Sequence, residues 1–197
     1  MLKYGLKKHG RLVQIFNMRT FSCLLLIATT LASCGEDDMV KTSKVKYFDL
    51  VDFFHHEAKA LAAADLKMEK QIIKDNIKEK KEFNKINWQE ELKPFSDCAI
   101  NKPAWVNSYQ TDTMQIKDGV KVVYTAREAK LPVRTIELML KGNMVTDITI
   151  HKVRQNFYYQ SEDHYSYHVL KGYEINGSQN VRLLDKTNYQ ISAVYMY

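Results

Sequence analysis

The chain has 197 residues, a formal net charge of +6 and 45% hydrophobic residues, which suits about one folded domain and excludes a disordered or collagen-like chain. Three cysteines are too few for a disulfide-stabilised scaffold. Residues 1–33 contain five basic side chains and no acidic one, so the remaining chain has 24 basic and 23 acidic residues, a net charge of +1. The body of the protein therefore lacks the basic surface typical of nucleic-acid binding, and we expect no nucleic-acid partner.

A short apolar segment follows the basic amino-terminal stretch. Residues 21–32 carry no charge, but a transmembrane helix needs about 20 apolar residues. The length and the basic flank are typical of a secretory signal peptide, which we predict over residues 1–33. The basic stretch is long, and Met18 followed by Arg19 makes a more usual beginning. We therefore hypothesise that residues 1–17 are not translated.

The end of this segment resembles the lipobox of bacterial lipoproteins. The motif is Leu31-Ala32-Ser33-Cys34. In that family the leader is cleaved before the cysteine, and acyl chains are attached to its sulfur and to the new amino terminus. The resemblance implies lipidation of Cys34 and attachment to the membrane through the lipid, because several acyl chains make anchoring stable. An ordinary secretory signal with an accidental cysteine is the alternative.

Residues 34–46 form the predicted acylated cysteine and tether, since they are polar and lysine-rich without periodicity. The acidic patch Gly35-Glu36-Asp37-Asp38 resembles the export signal of surface lipoproteins in Bacteroidota-type bacteria, although a solvated tether has the same composition. We expect an outer-membrane location and leave open whether the periplasmic or the surface face carries the protein. A single globular domain is predicted over residues 47–197.

The first half of this domain shows helical patterns. Apolar residues recur at helical spacing from 50 to 64 behind a capping Asp49, which predicts an amphipathic helix. Residues 67–86 fit either a helix or a hairpin of strands at 68–73 and 78–83, and Asp75-Asn76 favours the hairpin. A short helix is predicted over residues 88–95. Residues 100–105 should be extended, because a residue before a proline avoids the helical region.

The second half alternates between apolar and polar residues, which is typical of strands. Strands are predicted at 120–126, 133–140, 144–154, 165–169, 173–175, 181–184 and 189–195, with turns at Lys141-Gly142-Asn143 and Asn176-Gly177. Short intervals without a crossover helix predict an antiparallel meander. The expected fold is α+β, with an antiparallel β-meander sheet covered by the N-terminal amphipathic helix.

The body also resembles small outer-membrane lipoproteins of the same bacterial group, which have no assigned chemistry. The segments that carry this resemblance are 47–50, 88–92, 100–105, 172–175 and 189–191. The resemblance implies no catalytic residue.

Few residues form a pattern that indicates catalysis or metal binding. His164 and His168 have the spacing of zinc ligands on a helix, but four strand residues span roughly 13 Å, so we predict that they share no metal. His55 and His56 lack a further histidine one helical turn away, and Cys98 fits a small buried core residue. We expect no enzymatic activity, no catalytic residue, no cofactor and no metal. A hydrolase site assembled from His55, His56 or Cys98 with a distant carboxylate is the alternative.

Tyrosine is concentrated in the predicted sheet, where nine of the twelve tyrosines lie beyond residue 120. Packing on the sheet explains this enrichment, but a concave aromatic face would also bind a glycan, a peptide or a lipid. The candidate ligand-facing residues are Tyr165, Tyr167, Tyr189 and Tyr195. The expected function is a non-enzymatic binding or structural module of the cell envelope, with an envelope protein or glycan as partner. A carrier of lipids or lipoproteins is a further alternative.

Overall fold

The computed structural model describes residues 46–197. The predicted leader, the lipobox cysteine Cys34 and the tether up to residue 45 lie outside the described residues. Within the described part, no helix has both the length and the apolar character needed to cross a membrane.

Two helices form where the sequence predicts them. Helix α1 is Leu50–Ala63, and its cap Asp49 accepts hydrogen bonds from the backbone amides of Val51 and Asp52. Helix α2 is Trp88–Ser96, capped by Asn87. Each helix buries one stripe of apolar side chains, as expected of an amphipathic helix: Leu50, Phe54, Ala58 and Leu61 in α1, and Trp88, Leu92 and Phe95 in α2.

The segment between the helices is a hairpin, so the hairpin prediction is confirmed. Strand β1 is Lys67–Lys74 and strand β2 is Ile77–Phe83. Asp75 and Asn76 link them with positive φ angles of 47° and 70°. Aspartate and asparagine tolerate this left-handed conformation better than most residues, which explains the turn.

Within residues 46–197, seven further strands complete one nine-stranded sheet. They are β3 Tyr109–Ile116, β4 Gly119–Ala126, β5 Val133–Lys141, β6 Met144–Gln155, β7 Tyr159–His168, β8 Gly172–Val181 and β9 Thr187–Met196. The sheet order is β2-β1-β9-β8-β7-β6-β5-β4-β3, and every pairing is antiparallel. The protein is thus an α+β domain in which β3 to β9 follow one another as a meander and β1 pairs with the last strand.

Three local predictions are wrong. Asn176-Gly177 lies inside β8 and not in a turn. Residues 182–184 form a turn instead of a strand, and Leu183 is exposed with φ at 71°. Lys102 is extended, but Pro103–Trp105 form a 3-10 helix, because the fixed φ of proline suits a first helical position. Strand β3 lies outside the predicted strands, because most of its residues are polar and exposed.

The core contains a cluster of aromatic rings. The Phe54 ring centroid lies 5.0 Å from that of Tyr167, and Phe95 lies 5.6 Å from Tyr165 and 5.4 Å from Tyr173. The Trp88 ring lies 5.0 Å from that of Tyr195. These spacings are those of favourable edge-to-face pairs. The rings of α1 and α2 therefore pack against tyrosines of β7, β8 and β9.

The buried tyrosines make the fold sensitive to alkaline pH. Burial raises the pKa of Tyr109 to about 12. Burial also raises the pKa of six other tyrosines above the ordinary tyrosine value of 10.0. They are Tyr124, Tyr165, Tyr167, Tyr173, Tyr189 and Tyr195. A phenol whose pKa is higher in the folded state contributes stability that is complete below the unfolded-state pKa and is lost as pH rises. We expect the free energy of unfolding to fall steeply as pH rises from about 10 towards 12 and beyond.

Urea unfolding at a series of pH values, combined with tyrosinate absorbance, measures this effect. The account expects tyrosinate to appear together with unfolding. Ionisation of these tyrosines near their ordinary pKa in a protein that remains folded would contradict it.

Candidate functional site

The four candidate tyrosines do not form an exposed aromatic face. Tyr165, Tyr167 and Tyr195 are only 6%, 0% and 5% exposed and belong to the core. Tyr189 is half-buried, and its hydroxyl donates a hydrogen bond to Oδ1 of Asp163 at 2.6 Å. Packing, the alternative explanation for the tyrosine enrichment, accounts for the positions of the three buried rings.

The opposite side of the central sheet is polar and open. Side chains of successive strand residues point to opposite faces, so the neighbours of the buried tyrosines in sequence face away from the core. We call this surface on β6 to β9 the polar sheet face. The apolar Val153 and Val194 also lie on this face. Its polar residues include the following, all exposed or half-buried: Asp147, Thr149, His151, Glu162, His164, Ser166, His168, Glu174, Asn176, Ser178, Asn188, Gln190 and Ser192.

Hydrogen bonds across the strands order part of this face. Nδ1 of His168 lies 2.6 Å from Oδ1 of Asp147, its partner in register. Partial burial alone would raise the pKa of Asp147, but the hydrogen bonds from His168 and Thr146 outweigh it, so this pKa lies below its ordinary value. Near the middle of the face, Oε1 of Glu174 accepts hydrogen bonds from Asn176 and Gln190.

Two histidines and a glutamate gather on β6 and β7 of the polar sheet face. His151 of β6 and His164 of β7 are partners in register, and their rings stack with centroids 4.4 Å apart and planes at 3°. Oε1 of Glu162 lies 2.9 Å from Nε2 of His151 and 3.7 Å from Nε2 of His164. One donor atom from each of the three residues lies within 4.8 Å of the other two. We call these residues the His–Glu–His cluster.

His164 and His168 have the spacing of zinc ligands in the sequence, and the strand prediction excludes them from one metal site. His164 and His168 do lie on one strand, and they contact different carboxylates, Glu162 and Asp147. The partner of His164 is His151, thirteen positions earlier in the chain. These two histidines meet only because of the register in which β6 pairs with β7. A single sequence does not predict that register with single-residue precision.

Cys98 of the hydrolase alternative lies in the core and does not contact His55 or His56. Cys98 is buried, and its Sγ lies 3.3 Å from the carbonyl oxygen of Pro94 and 3.7 Å from Nζ of Lys152. Burial raises the pKa of the Cys98 thiol by more than Lys152 lowers it, which holds the sulfur in its less nucleophilic form. The prediction of a buried Cys98 is confirmed.

His55 and His56 lie on the surface of α1. Nδ1 of His56 lies 2.9 Å from the backbone oxygen of Asp52, and Nδ1 of His55 lies 3.0 Å from Nε2 of Gln89 on α2. His55 and Gln89 line a cleft of about 270 Å³ between the helices. Within the described residues, neither histidine contacts Cys98.

A buried carboxylate lies on the core side of the sheet. Asp163 of β7 is fully buried, and Nη2 of Arg154 lies 3.7 Å from its Oδ2. The hydroxyl of Tyr189 reaches Oδ1 across Gly177 of β8. A Cβ atom at position 177 would lie 2.6 Å from that Oδ1 and 2.4 Å from Cζ of Tyr189. Gly177 is thus required by close packing, which explains why it occurs within a strand.

Comparisons of the chain with protein-family models, with curated proteins and with solved structures found no match.

Proposed function

We propose that this protein is a lipid-anchored module of the cell envelope that binds its ligand without chemical conversion. The lipobox, with Cys34 as the acylated residue, supports the anchor. Acyl chains on this cysteine would hold the domain at the outer membrane, on its periplasmic or its surface face. The polar residues between Cys34 and Tyr47 would serve as a tether that lets the domain reach beyond the lipid headgroups.

The working surface in this proposal is the polar sheet face. The observation that carries it is the contrast between the two sides of the sheet: Tyr165 and Tyr167 are buried on one side, while His164, Ser166 and His168 alternate with them on the other. In this proposal α1 and α2 cover the tyrosine side and leave the polar side to a ligand.

The chemistry of this face favours a hydroxyl-rich ligand such as a glycan. Amide, hydroxyl, imidazole and carboxylate groups supply both donors and acceptors of hydrogen bonds, as sugar hydroxyls require. Asn176, Gln190 and Glu174 already form one linked group of this kind. Apolar side chains are few there, so an acyl chain would gain little by burial against this surface.

Site-specific photo-cross-linking in intact cells tests this proposal. A photoactivatable residue at Ser166 on β7 or at Ser192 on β9 of the polar sheet face is expected to couple to envelope material. The matched position is Lys59, on the exposed side of α1, where we expect at most about one tenth of the coupling. Digestion with glycosidases should release the adduct.

Equal coupling from Lys59 and from the sheet positions would contradict the proposed binding surface. An adduct that resists glycosidases and contains peptides of a second protein would contradict a glycan ligand and identify a protein ligand instead.

A further inference from the structure

We propose that the His–Glu–His cluster binds a transition-metal ion of the Zn²⁺ class through Nε2 of His151, Nε2 of His164 and a carboxylate oxygen of Glu162. The positions of the three donor atoms support this inference. It does not depend on the lipid anchor or on the identity of a ligand for the rest of the polar sheet face.

The distances within the cluster suit a shared ion. Zinc binds histidine nitrogen at about 2.0–2.1 Å and carboxylate oxygen at about 2.0–2.2 Å, so two ligands of a tetrahedral zinc lie about 3.3 Å apart. The nitrogen–oxygen distances from Glu162 are 2.9 Å to His151 and 3.7 Å to His164. Both values fall within about half an ångström of the tetrahedral spacing. All three donor atoms lie within 4.8 Å of one another, so rotation of the imidazole rings would bring them onto one ion.

The backbone limits how far the ligands can separate. His151 and His164 lie opposite each other on neighbouring strands in the interior of the sheet. Glu162 precedes His164 by two residues on β7 and therefore shares its face. Donors on paired strands are held more firmly than donors on loops, because the hydrogen-bonded ladder fixes their backbone.

The stacked rings define the rearrangement that metal binding requires. The ring centroids lie 4.4 Å apart with planes at 3°, and the lone pair of an imidazole nitrogen lies in the plane of its ring. Both Nε2 atoms therefore meet one ion only after at least one ring rotates out of the stack. Because Oε1 of Glu162 already lies beside both Nε2 atoms, metal binding would replace these contacts with coordination through the same atoms.

The donor set indicates which ions fit. Two imidazoles and a carboxylate suit Zn²⁺, Ni²⁺ or Cu²⁺, whereas Ca²⁺ and Mg²⁺ prefer oxygen ligands throughout. Three protein ligands leave at least one position on the ion for water or for a group of a bound molecule. Because Glu162 and His164 are exposed, that position faces solvent.

Calorimetric titration of the metal-free full chain with ZnCl₂ at neutral pH tests the proposal. We expect one site per chain. Each of His151→Asn, Glu162→Gln and His164→Asn should weaken the affinity at least about tenfold, because loss of an outer-shell partner alone commonly costs about 10–100-fold. The matched variants His168→Asn and Glu174→Gln alter the same face outside the cluster and should change the affinity less than about twofold. Circular dichroism of every variant checks that the fold is retained.

Two results would overturn the proposal. One is the absence of a site whose affinity depends on the three cluster residues, including the case in which zinc binds through cysteine thiols elsewhere. The other is an equal loss of affinity in His168→Asn and in His164→Asn. Neither result bears on the lipid anchor or on cross-linking from Ser166 and Ser192, so failure of the metal site and failure of the proposed function are distinguishable.

Discussion

Replacement of Tyr167 by alanine is expected to lower the free energy of unfolding by about 4 kcal/mol, because truncation of a fully buried aromatic side chain typically costs about 3–5 kcal/mol. The Tyr167 side chain is fully buried. Its ring lies 5.0 Å from that of Phe54 on α1 and 5.7 Å from that of Phe95 on α2. Its removal would open a cavity where rings from both helices meet a central strand.

Two variants separate the parts of this effect. Tyr167→Phe keeps the ring but removes the hydrogen bond that the hydroxyl donates to Oε2 of Glu57 at 2.7 Å, and we expect a loss of about 1 kcal/mol. Tyr158→Ala removes a tyrosine that is 68% exposed and should change stability by less than about 0.5 kcal/mol. Urea unfolding of the three variants gives the comparison. A cost for Tyr167→Ala no larger than that for Tyr158→Ala would show that the ring cluster does not hold this part of the fold together.

The sequence predicts well those elements that depend on interactions between residues close together in the chain. Asp49 caps α1 as expected, and the apolar stripe behind it is buried. The lysines and glutamates of β1 and β2 are compatible with a helix or a hairpin, and the turn residues Asp75 and Asn76 favour the hairpin that the structure has. These features depend on neighbours in sequence, which a single chain displays directly.

The errors arise where tertiary contacts override local preference. Asn176-Gly177 has the composition of a tight turn, yet Gly177 occurs in a strand because Tyr189 and Asp163 occupy the space beside it. Leu183 and Leu184 have the composition of a buried strand but are exposed in a turn. In the first case the deciding contacts come from residues on neighbouring strands. In the second case the two leucines remain exposed to solvent.

The candidate site depends on register even more strongly. The alternation of β7 predicts that Tyr165 and Tyr167 face one side and that His164 and His168 face the other. It does not predict which side the helices occupy, so the sequence alone does not distinguish buried tyrosines from ligand-facing ones. The His–Glu–His cluster needs, in addition, the pairing of His151 with His164 across β6 and β7.

The second large effect concerns the lipid anchor. Cys34→Ser is expected to move the protein from the envelope fraction to the soluble fraction almost completely. Each buried methylene of an acyl chain contributes about 0.8 kcal/mol to membrane binding, and serine has no thiol to which these chains could be attached. Cys23→Ser provides the matched control, since it changes another cysteine of the leader region and leaves the lipobox intact. The control should remain in the envelope.

The most direct measurement is metabolic labelling of growing cells with radioactive palmitate, followed by detergent phase partition of the wild-type chain and of both variants. The account predicts label and detergent-phase recovery for the wild type and for Cys23→Ser, and neither for Cys34→Ser. An unlabelled wild type, or a Cys34→Ser variant that still partitions with detergent, would contradict the lipid anchor and with it the envelope function proposed above.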